Sequence, residues 1–350
     1  MQFSLRPVPA MLSLQPRPIA LAALAGAFAL VGFASQAADF RPISFTVAGA
    51  WNGVAPCLAP ARLTARAIEQ RLALAAGAKR IDAEVAGVRF KDQPAAEVAA
   101  FKAIASRRLR NDRQLAAAVA RDCTDVLCAS REVFGDEAGA RILLLATERH
   151  YNAAPLLEGE HAWSVDDLDL LIAGFADWPT GSFPQPHGEP RIVREDSEDA
   201  QPSRQVMAHR LGVAAMAGEG QPGIVFFPKW RSIRPSERRA IVIHELAHEF
   251  ARRQPETWRS QWAQAAAKDA DRAGEGSSSF VSAYAESDID EDFAESVSAY
   301  RYSAPLLMRR APARYAYIKR TVFNGVEYGA AVSCRSANTD IQLTEMLIRQ

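Results

Sequence analysis

Apolar positions recur at helical spacing over much of this chain. Between residues 60 and 122, Leu63, Ala67, Ile68, Leu72 and Leu74 fall near one stripe, and Val98, Phe101, Ile104 and Leu109 near another. Spacings of three and four residues place side chains on one helical face, so the region reads as amphipathic helices. Two further helical patterns follow at residues 138–148 and 165–178, the second preceded by Ser164 with Asp167 in a capping-box arrangement. Residues 179–202 carry Pro179, Gly181, Pro184, Pro186, Gly188 and Pro190 and then a charged run, which predicts a loop with a short strand at 191–193. The run at 224–227 (IVFF), entered through Pro222-Gly223, reads as a buried strand. Ser236 is the expected cap of a long helix over 237–253, with further helices over 256–271, 291–302 and 312–323 and a flexible Gly/Ser loop at 273–279.

The start of the chain has a different character. Arg6 and Arg17 precede an uncharged run rich in Ala and Leu from 19 to 33, which ends at Ser35-Gln36-Ala37. A charged start, a short apolar core and a small-residue exit predict a secretory signal peptide over 1–37, too short for a confident span. The expected mature chain is exported, periplasmic or secreted, without stable membrane insertion. Lys plus Arg and Asp plus Glu both number 41, a balance that gives no hint of the basic stripe a nucleic-acid surface needs, and no nucleic-acid partner is expected. The four cysteines, Cys57, Cys123, Cys128 and Cys334, are then expected as disulfides, Cys123–Cys128 locally and Cys57–Cys334 across the chain.

The strongest chemical signal is His244-Glu245-Leu246-Ala247-His248, an H-E-x-x-H sequence. Four residues apart on a helix, the two imidazoles project from one face and can bind one metal ion. Glu245 beside them can serve a metal-bound water as general base. Ile241, Leu246, Ala247 and Phe250 supply the apolar contacts of a helix. No His follows His248, which excludes a third His ligand downstream. A carboxylate is expected instead, and the richest cluster is DIDEDFAE at 288–295. Glu291 and Glu295 share a helical face there, so helical geometry alone allows either as ligand, with the other orienting an imidazole. Asp292 is a further candidate for that outer role. His150, His161, His187 and His209 have no partner spacing. Trp258 and Trp262 read as packing residues.

The stretch from Tyr284 to Glu295 resembles the third-ligand region of anthrax-lethal-factor-like zinc peptidases, a gluzincin group. A Tyr seven residues before a Glu that opens an E-x-F-A-E helix is shared with it, and residues 311–323 resemble the closing helix of that family. The resemblance covers about the last third of the chain, from residue 224 onward, and nothing of residues 38–160. It implies a zincin-like fold, one Zn2+ per chain, Glu291 as third ligand, Glu295 as its outer partner, and Tyr284 as a hydrogen-bond donor to the tetrahedral intermediate. The expectation is an α+β, mostly helical chain with a helical domain at 38–160 and a zincin-like domain with a small sheet at 161–350. A metallopeptidase acting on peptide or protein is the leading expectation. A zinc-dependent cell-wall amide hydrolase and a secreted non-catalytic binding protein with a structural or vestigial zinc are the alternatives.

Overall fold

A computed structural model describes residues 62–152, 163–184, 192–194, 215–217, 224–226, 235–274, 278–282 and 284–327. The expected signal peptide, Cys57, Cys334, His161, His187 and His209 lie outside them. The described residues all belong to one compact unit, Phe40–Gln350. The architecture is α+β and mostly helical. In chain order it comprises α1 (Ala65–Ala76), β1 (Arg80–Val85), β2 (Val88–Pro94), α2 (Ala95–Asn111), α3 (Arg113–Asp122), α4 (Val126–Phe134), α5 (Asp136–Arg149) and α6 (Val165–Ala176). A 3-10 turn (Thr180–Ser182) leads to β3 (Ile192–Arg194), β4 (Ala215–Ala217) and β5 (Ile224–Phe226). After these come α7 (Pro235–Ala251), α8 (Thr257–Ala273), a 3-10 turn (Tyr284–Glu286), α9 (Ile289–Arg310) and α10 (Pro312–Thr321).

The helical stripes read from the sequence bury the expected residues: Ile68 and Leu72 on α1, and Val98, Phe101, Ile104 and Leu109 on α2. Leu74 departs from its stripe and is 84% exposed. The helical reading of 60–122 also misses a hairpin. β1 and β2 pair antiparallel around Ala86-Gly87, and both turn residues have positive φ (51° and 91°), the backbone of a two-residue type I′ turn. Val85, Val88 and Phe90 face the core from it. At α6 the expected capping box is present in both directions, Ser164 accepting from the Asp167 amide and Asp167 from the Ser164 amide. Cys123 and Cys128 are bonded to each other, as expected, across the α3–α4 corner.

Buried apolar side chains form one continuous cluster from Ile68 on α1 to Phe323 just past α10. Some of the charges inside it are paired. Arg141 on α5 donates to Asp169 on α6 at 2.6 and 3.1 Å, and the same guanidinium reaches the Leu63 carbonyl. α4 and α5 approach so closely at Gly139 that a Cβ there would lie 2.2 Å from the Ser130 carbonyl oxygen.

The second half is organised around α7, which packs against α6, α9 and β4. Every residue from Ala240 to Ala247 is buried, so the helix is enclosed on all sides instead of being amphipathic. β5 is the middle strand of a three-stranded sheet, parallel to β3 and antiparallel to β4, with Ile224 and Phe226 buried. Two boundaries differ from the sequence reading. α7 begins at Pro235, so Ser236 lies within the helix; a proline at the first helical position costs nothing because its missing N–H would have no helical partner. α9 continues through Pro305 to Arg310, well beyond the expected end at 302.

Candidate metal centre

Two helices meet at the site. α7 presents His244 and His248 from one face, a turn apart, with ring centroids separated by 4.8 Å. α9 presents Glu291 in its first turn and Glu295 in its second. The start of α9 is fixed by Asp288, whose Oδ1 accepts from the amides of Asp290 (2.8 Å) and Glu291 (2.9 Å). α6 backs α7 from the other side, where Gly174 allows contact with Val242; a Cβ on Gly174 would come within 2.7 Å of that side chain.

A buried salt-bridge network also ties the helices together, and no sequence signal pointed to it. Asp177, just past α6, accepts from Arg239 on α7 and from Arg301 and the Tyr302 hydroxyl on α9, the last at 2.7 Å. Burial pushes the Asp177 carboxyl up, but Arg301, Arg239 and the hydrogen bonds outweigh it and hold the carboxyl below its ordinary value.

At the centre, His244 Nε2 lies 3.1 Å from His248 Nε2 and 3.0 Å from Glu291 Oε2, and His248 Nε2 lies 3.5 Å from that same oxygen. The other nitrogen of His244, Nδ1, is 2.9 Å from Glu295 Oε1. Glu295 thus stands behind His244, and Glu291 faces both rings. A neutral His244 that donates from Nδ1 to Glu295 carries a lone pair on Nε2. Three electron-rich atoms then converge on one point, with Glu291 Oε2 enclosed between the two rings. Such a cluster calls for positive charge at its centre. The titration behaviour has the same origin. Burial disfavours the His244 cation, but Glu291 and Glu295 outweigh it and raise His244 well above its ordinary value. Burial likewise works against the Glu291 carboxylate, which His244 and His248 hold well below the usual range. His244, His248 and Glu291 together can hold a metal ion.

Two more expected residues line the centre. The Tyr284 ring stacks near that of His244, with centroids 6.1 Å apart. Burial first, then the charges of Glu291 and Glu245 and a hydrogen bond to Glu291, push the Tyr284 hydroxyl well above its ordinary value, so it stays protonated. Glu245 is buried and close enough to act electrostatically on Tyr284. Asp292 is turned away from the histidines: its Oδ2 accepts from the Trp262 indole (2.8 Å) and from Arg314 Nε (3.0 Å), which corrects its reading as an outer partner of the site. Trp262 and Trp258 are buried against Phe293, as packing residues should be. His150 ends α5 in a left-handed conformation, exposed and far along the chain from the centre. Ser282 had no motif to reveal it, yet its Oγ donates to Glu295 Oε2 at 2.7 Å.

Among the described residues, no helix is long and apolar enough to cross a membrane. Comparison with protein-family profiles, curated proteins and solved structures gave no match.

Proposed function

We propose that the chain is an exported zinc metallopeptidase with a zincin-like catalytic region. The observation that carries this reading is the triangle of His244 Nε2, His248 Nε2 and Glu291 Oε2, with edges of 3.0, 3.1 and 3.5 Å. Donor atoms at zinc-ligand distances of about 2.0–2.2 Å in tetrahedral arrangement lie roughly 3.3–3.6 Å apart, so the two shorter edges need only widen by a few tenths of an ångström. Two imidazoles and one carboxylate make three ligands, the set that leaves a fourth position for water. The Cys123–Cys128 bond supports export, since disulfides persist in oxidising compartments.

Zinc held there would supply Lewis acidity to a peptide carbonyl and to a bound water. The remaining roles fall to this chain's side chains. Glu245, next to a ligand and buried, accepts the proton of the attacking water and returns it to the leaving amine. Tyr284, kept protonated by the carboxylates around it, donates to the oxygen of the tetrahedral intermediate. Glu295 fixes the ring orientation of His244 through Nδ1 and raises the basicity of Nε2. The substrate class is peptide or protein.

The test is zinc content per chain in the purified protein, beside His248→Ala and Glu245→Gln. The expected result is one zinc in the parent chain and in Glu245→Gln, none in His248→Ala, and peptide hydrolysis in the parent alone. A folded parent chain that takes up no zinc when supplied with it sinks the metal reading. A Glu245→Gln variant that still cleaves sinks the assignment of the base.

A further inference from the structure

We propose that Ser282 is a positioning residue of the metal centre, joining the carboxylate behind His244 to the turn that carries Tyr284. The proposal rests on the metal reading above. Ser282 is buried in the segment 278–282, ahead of the 3-10 turn Tyr284–Glu286. Its hydroxyl makes two contacts of opposite sense. It accepts from the Ala285 amide at 3.1 Å, inside the Tyr284 turn, and it donates to Glu295 Oε2 at 2.7 Å. The directions are fixed by chemistry, because an amide N–H only donates and a carboxylate only accepts.

Glu295 therefore has one oxygen for each neighbour, Oε1 toward His244 Nδ1 and Oε2 toward Ser282. With both oxygens engaged, the carboxylate plane is set, and with it the ring that aims Nε2 at the centre. A buried carboxylate held at one oxygen only could rotate and carry the imidazole with it. Through its second contact the same hydroxyl fixes the register of the turn that delivers Tyr284. The segment is itself anchored: Arg314 Nη1 donates to the Ser279 carbonyl (3.4 Å) and hydroxyl (3.3 Å), and Arg310 donates to the Ser278 carbonyl. Val281 next to Ser282 is buried as well. The hydroxyl thus stands on a fixed support, as a group that transmits orientation must.

Loss of an outer partner of a metal-bound imidazole costs about 10–100-fold in metal affinity, and Ser282 acts one bond further out, so Ser282→Ala should weaken zinc binding about tenfold. The measurement is competition for zinc between the full chain and a chromophoric chelator. It is paired with the visible absorption of the Co2+-loaded chain and the melting temperature of the metal-free chain. Ser282→Ala should lose affinity and broaden the cobalt bands, and Ser282→Thr should restore both, with metal-free melting little changed. If Ser282→Ala does not fold, Ser282→Thr and Ser282→Val carry the same comparison, since they are alike in shape and differ in the hydroxyl. Parent-like zinc affinity in the variants lacking the hydroxyl overturns the role of Ser282 and leaves the metal reading standing. A parent chain that binds no zinc overturns both.

Discussion

Asp177→Ala removes the carboxylate shared by Arg239, Arg301 and the Tyr302 hydroxyl. Both oxygens are used, and Asp177, Arg301 and Tyr302 are all buried. Hydrogen bonds to charged groups contribute about 1.5–3 kcal/mol each, but they share one acceptor group and do not add. Depriving a buried ion pair of one partner costs about 3–5 kcal/mol, the figure we adopt because two guanidiniums lose the anion facing them. At about 2.1 cal/mol/K of unfolding entropy per residue, 1 kcal/mol moves the melting temperature of a chain this long by about 1.5 °C, so a fall of roughly 6 °C is expected. Asp177→Asn keeps the shape and one acceptor oxygen and should lose about half as much. The sign of the pH dependence follows from the depressed carboxyl of Asp177 in the folded chain. The unfolded chain, with Asp near its reference value of about 3.9, binds the proton more readily. The stabilisation is therefore complete above that value and disappears as pH falls through the lower, folded value. Thermal and urea unfolding followed by circular dichroism at neutral and acid pH would measure it. A loss below 1 kcal/mol at neutral pH, or a gap between parent and Asp177→Ala that widens on acidification, would refute the reasoning.

Other substitutions probe the first half of the chain. Gly139→Ala sets a Cβ 2.2 Å from a backbone carbonyl that cannot rotate away. Overpacking costs up to about 3 kcal/mol and the better helix propensity of Ala returns about 1, which leaves a net loss near 2 kcal/mol. Gly181→Ala, with nothing within 4 Å, should be neutral, and equal melting temperatures for the two variants would discredit the clash. Opening the Cys123–Cys128 bond with reductant or a double Ser substitution should cost about 2 kcal/mol, the loop-closure value for so short a loop. Unchanged urea midpoints after thiol titration confirms reduction would contradict that.

What could be read from the sequence depended on how local each signal was. The H-E-x-x-H helix needs only a 3.6-residue period, and the downstream Glu pair only a shared face, so α7 and α9 were both legible together with their donors. The choice between Glu291 and Glu295 required the rotation of α9 against α7, which depends on distant contacts such as Asp177 with Arg301. The β1–β2 hairpin was hidden because Ala86-Gly87 is a weak turn signal set among Ala-, Arg- and Glu-rich helices, although Val85, Val88 and Phe90 supply the core contacts. α9 outruns the expected end at 302 because the helix continues through Pro305, whose missing N–H costs it one bond without ending it. Leu74 was a false core position because α1 buries a narrower face than its apolar stripe suggests. Ser282 and Asp177 carry no periodic or motif signal; their partners lie 13 residues away in one case and as many as 125 in the other.

The position of each donor along its helix also has a kinetic side. His244 lies in the enclosed part of α7, so exposing it requires breaking a helix surrounded by its neighbours, whereas His248 lies in the last turn. Glu291 sits in the first turn of α9, where the Asp288 cap holds its amide. Helix ends open with far less free energy than buried centres do. Hydrogen exchange at the Glu291 amide should therefore run faster than at His244, through fraying of one turn without global unfolding. Were an ion bound there, the corners at the two helix ends, Glu291 and His248, would release it before the His244 corner does.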